Sequence, residues 1–75
     1  MQLISQDGNM KVDFYPAAGV SNKFVQVTSF QDKEMSERLI SKRDMIDEAN
    51  ARIHGYGYTV IKFHTSPRVK TIVCC

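Results

Sequence analysis

The chain has 75 residues, 43% of them hydrophobic and 24% charged, with a formal net charge of +2. That length admits one domain, because so short a chain buries too little surface for a second core. The hydrophobic share and seven aromatic residues exclude disordered and fibrous classes, and the apolar runs of a few residues fall far short of a membrane span. The opening lacks the basic-then-apolar layout of a secretory signal, so a soluble cytoplasmic protein without a membrane partner is expected.

Leu3 and Ile4 run into Gln6-Asp7-Gly8-Asn9, where Asp caps backbone groups and Gly accepts positive φ, so an opening hairpin is predicted. Beyond the turn Met10, Val12 and Phe14 alternate with Lys11 and Asp13, which places three apolar side chains on one strand face. Pro16 ends that run, since it has no amide donor and restricts Tyr15 before it. Gly19 and Asn22 mark a connecting turn, and residues 24–30 read as a strand through their aromatic and β-branched side chains.

Residues 31–33 suit another hairpin, after which two readings compete. Met35, Leu39, Ile46, Ala49 and Ile53 fit one stripe of a long helix, whereas Ser41 followed three positions on by Asp44 is a capping pattern that starts a shorter one. The preferred reading is a strand over residues 35–40 and a helix over 42–54. Met45, Ile46, Ala49 and Ile53 then face the sheet, leaving Lys42, Arg43, Asp47, Glu48 and Arg52 largely in water. Gly55 is placed to end the helix, residues 58–63 read as a strand, Ser66-Pro67 as a turn and residues 69–73 as a last strand. The expected fold is α+β, a small and mainly antiparallel sheet covered by one amphipathic helix.

The opening Leu3-Ile4-Ser5-Gln6-Asp7-Gly8 resembles the start of a family of short proteins of unassigned function from Gram-positive bacteria and their phages. Val12 and Phe14 are similar to the continuation of that family's first hairpin, and Ser41, Asp44, Met45, Ile46, Ala49 and Ile53 to its helix. The resemblance covers about residues 1–54. It implies a structural or interaction role, carried by a phage or mobile element, with no catalytic motif attached.

Charge is unevenly spread. Residues 31–54 hold six acids against five bases, while residues 55–75 hold Lys62, Arg68 and Lys70 and no acid. Residues 54–61, with Gly55, Tyr56, Gly57 and Tyr58, partly resemble the aromatic strand of RNA-recognition domains, but Thr59 and Ile61 depart from it and the order of elements differs. Tyr56, Tyr58, Lys62 and Arg68 are accordingly the candidates for an RNA or single-stranded DNA surface, against a reading of the tyrosines as turn and core residues.

Cys74 and Cys75 are adjacent, so they close no long loop, and no disulfide framework is expected. His54, His64 and the two cysteines lack zinc-finger spacing, so no metal or other cofactor is expected. His64 beside Lys62 and Arg68 would suit a small nuclease, yet a solvated basic hairpin explains it as well, and no nucleophile elbow or phosphate loop is present. Asp44, Asp47 and Glu48 read as a cap and a wet helix face. The chain thus reads as a non-enzymatic interaction or regulatory protein. Its partner is a second copy or another protein, met through the edge formed by Ile72, Val73, Cys74 and Cys75.

Overall fold

The computed structural model describes residues 1–68. Five strands form one antiparallel sheet in the order β4-β3-β2-β1-β5: β1 Gln2–Ile4, β2 Met10–Pro16, β3 Lys23–Phe30, β4 Lys33–Ser41 and β5 Thr59–Lys62. The helix α1, Lys42–Asn50, follows β4 directly and runs on as a π-helical turn over Ala51–Gly55. The α+β expectation therefore holds, with the short helix rather than the long one. The strand expected over residues 69–73, with its interaction edge at Ile72, Val73, Cys74 and Cys75, lies outside the described residues.

Each hairpin has a local chemical cause. In the first turn the Ser5 hydroxyl donates to the Asp7 carboxylate at 2.5 Å and accepts from the Met10 amide, while Asp7 also accepts from the Asn9 amide at 2.9 Å. Gly8 supplies φ +78°. The β3–β4 loop is the two residues Gln31 and Asp32, both at positive φ, the backbone that matches the twist of a tight hairpin. Pairing of β3 with β4 then skips Met35, which leaves the ladder as a bulge and is 65% exposed.

Register assigns the two faces. Val12, opposite Leu3, and Phe14 point toward α1 and form its core with Ile40, Met45 and Ala49. Ser41 caps the helix by accepting from the Asp44 amide at 3.1 Å, and Met45, Ala49 and Ile53 follow at four-residue spacing along the sheet-facing stripe. Ile46, expected on that stripe, is 44% exposed: it lies a further 100° or so around the helix, beside Asn22 and Lys42. The capping residue fixes this phase, because a helix starting at Lys42 turns Met45 inward and leaves Ile46 at its margin.

Arg52 also departs from expectation. Its guanidinium donates to Glu48 at 3.1 Å and to the Tyr58 hydroxyl at 3.4 Å and lies over the Tyr58 ring, so it packs rather than being solvated. The helical segment ends at Gly55 as expected, although Gly55 itself does not take positive φ. Gly57, at φ +72°, makes the turn, and a Cβ there would lie 2.3 Å from the Gln6 side chain. The exit of the helix is thereby pressed against the first hairpin turn, which aims β5 along β1.

Candidate functional site

The face of the sheet away from α1 carries the odd members of β2 and their register partners. Asp13 aligns with Gln2 on one side and Val27 on the other, Val27 aligns with Glu37, and Tyr15 aligns with Val25, itself opposite Leu39. Alternation alone would leave this face in water. Asp13 is nevertheless only 6% exposed, because residues 63–68 return after β5 and set His64 on it, and Val27 beside it is 5% exposed.

Two polar anchors hold that strap. Near β5, His64 Nε2 lies 2.7 Å from Asp13 Oδ1, and its imidazole stacks on the Tyr15 ring with centroids 4.0 Å apart. Near β4, the Arg68 guanidinium donates through Nη1 to both Glu34, at 3.0 Å, and Glu37, and through Nη2 to Glu34 again. A planar guanidinium forked between carboxylates is both strong and directional. The segment bends at Ser66 between these two anchors as it passes from the β5 side toward β4.

The surroundings shift several titrations. Burial, and secondarily the Asp13 charge, hold the Tyr15 phenol above its ordinary range. The hydrogen bond from Arg68 to Glu34 strengthens the guanidinium's hold on its proton. Burial also lowers the Met1 amine, which donates to the Phe14 carbonyl at 2.7 Å, while Asp13 acts in the opposite direction. Between the anchors, residues 65–67 with Tyr15 and Phe63 line an open groove of about 460 Å³.

The candidates for a nucleic-acid surface are divided. Tyr56, 72% exposed, and Tyr58, which packs on the core, share a shallow groove with Arg52 and Glu48 at the helix end. Lys62 sits at the end of β5 in register with Gln2, and Arg68 is on the open face between two carboxylates. Tyr58 and Arg68 thus lie on opposite sides of the sheet. His64, read from sequence as part of a solvated hairpin, has a side chain only 14% exposed.

Asp13, Tyr15, Glu34 and Glu37 were not singled out by sequence. The available signal was electrostatic: acids at outward positions of β2 and β4, and a C-terminal stretch holding bases and no acids. Among the described residues no group of three or more His, Cys, Asp or Glu is arranged to hold a metal, and no helix is long and apolar enough to cross a membrane. Compared with family models, curated proteins and solved structures, the chain matches none.

Proposed function

We propose that the chain is a small non-catalytic interaction module that engages a protein partner across the open face of its sheet and acts by that binding. The observation that carries this reading is the strap itself: a segment seated on the face through His64 on Asp13 and Arg68 on Glu34 and Glu37. A surface that holds one peptide segment by side-chain pairs at both ends has the chemistry to hold another. Exposed Leu39, in the same cross-strand row as Tyr15 and Val25, extends the seat with apolar area at the β4 edge.

The charge arrangement supports a protein partner over RNA or single-stranded DNA. Arg68 is engaged by two carboxylates, and Asp13, Glu34 and Glu37 would repel a phosphate backbone approaching the same face. The likeness of residues 3–8 to short bacterial and phage proteins supports a role carried by a mobile element, and a regulatory protein of that kind needs no reaction cleft.

A photo-crosslinking residue placed at Leu39 and, separately, at Tyr56 tests the reading in cells. Capture of a defined protein, or of a second copy of the chain, from position 39 but not from 56 is the expected result. Salt-dependent RNA binding by the purified chain, with no protein captured at position 39, would overturn it.

A further inference from the structure

The anchors of the strap say what kind of partner the open face fits. Reading outward from β5, the face offers a buried carboxylate beside an aromatic ring, then an apolar floor at Val27, then a pair of carboxylates on β4. The strap answers the two ends, with an imidazole at 64 and a guanidinium at 68, separated by three residues that bend at Ser66. Resting on the interaction reading above, we infer that residues 63–68 are an internal stand-in for a basic peptide ligand and hold the docking face in a self-occupied, autoinhibited state. The ligand carries an imidazole or aromatic side chain, with an arginine four residues toward its C-terminus.

Three observations favour a displaceable contact over a structural one. Helix-side core residues Leu3, Val12, Phe14, Met45 and Ala49 are packed without the strap, so the fold has its own core when the strap leaves. The hold on the sheet includes the Arg68 ion pairs, the His64–Asp13 hydrogen bond and a ring stack, with Glu34 44% exposed and Arg68 25% exposed, so water and salt reach the β4 end. Thr65, Ser66 and Pro67 between the anchors are all exposed.

An intramolecular segment competes at a high effective concentration, so the intact chain should bind such a peptide weakly. If the strap is seated in nine molecules of ten, the apparent Kd is raised about tenfold over that of the vacated face. The test uses the full chain and a fluorescent peptide with the sequence of residues 62–68. Binding is compared for the natural protein, the double variant His64→Ala with Arg68→Ala, and that variant carrying Glu37→Gln in addition. The double variant should bind at least about tenfold more tightly than the natural chain. Glu37→Gln should remove most of that gain, and a peptide with alanine at its His and Arg positions should not bind.

Arg68→Ala alone, which leaves the His64 anchor in place, gives a smaller gain and covers the case in which the double variant does not fold. Equal binding by the natural and both strap variants, or equal binding of the alanine peptide, would overturn the inference. So would a partner crosslinked at position 39 that competes with none of these peptides, although the interaction reading would then stand. Peptide binding with no crosslinked partner would instead count against that broader reading.

Discussion

Met45 and Ile46 are neighbours in sequence and both apolar, yet truncating them should have very different costs. Met45 is 7% exposed and touches the core of Leu3, Val12, Phe14 and Ile40, so Met45→Ala removes buried atoms from a site that a five-stranded sheet cannot close over. Such truncations cost about 2 to 5 kcal/mol. A chain of 75 residues has roughly 4 to 11 kcal/mol of stability in all, so the variant should sit near the edge of folding. Taking about 3 kcal/mol, its melting temperature should fall by roughly 12 to 24 °C. Ile46 is 44% exposed, and losing a half-buried side chain costs about 1 kcal/mol, or roughly 4 to 8 °C. Ile46→Asp is tolerated for the same reason, since the carboxylate can turn into water beside Lys42. Thermal unfolding followed by far-ultraviolet circular dichroism checks the pair. Equal losses from Met45→Ala and Ile46→Ala would mean that the helix is rotated about 50° from the phase its Ser41 cap imposes.

Three further outcomes are expected. Gly57→Ala should destabilise the chain by about 1 to 2 kcal/mol in a urea titration, because it puts a Cβ on a residue at positive φ, while the exposed Gln6 amide it meets can swing aside. Gln31→Asn should be neutral or stabilising by a few tenths of a kcal/mol in the same titration, since Asn tolerates the left-handed backbone at this turn position better than Gln. Tyr15 has its phenol pKa raised, so the associated stability is present below the ordinary value of 10.0 and is lost as pH rises through the folded-state value. His64→Ala should uncover the ring and bring that titration down toward 10.0 in an absorbance measurement, whereas an unchanged titration would contradict the strap's cover of Tyr15.

The helix side of the fold was legible because its signals are local. Val12 and Phe14 declare their face by alternation, Asp7 and Gly8 declare their turn, and Ser41 with Asp44 declares the helix start, each within a few residues. The errors come from phase and contact. Ile46 was placed inward because a four-residue apolar set does not state how wide the buried stripe is, and the part of Gly57 in the turn after the helix went unread because spacing does not show its approach to Gln6. The open face was the least legible. Asp13 alternates with buried residues as a solvent-facing carboxylate should, and what buries it is a histidine 51 positions away.

The two faces of this sheet are held by different forces, which has a consequence for how the chain opens. Against α1 the contact is apolar burial, insensitive to salt and shared by every core residue. Across the open face it is a pair of polar anchors unequal in shelter: Asp13 and His64 have side chains 9% and 14% exposed, Glu34 and Glu37 44% and 28%. Screening acts on exposed pairs first, so rising salt loosens the Arg68 end while His64 still holds, and the helix-side core is untouched. Local opening of this kind lies well below global unfolding in free energy. An incoming arginine would therefore meet Glu34 and Glu37 before Asp13 is uncovered. Exchange of the strap for a ligand can then proceed from β4 toward β5 without the sheet ever losing its helix.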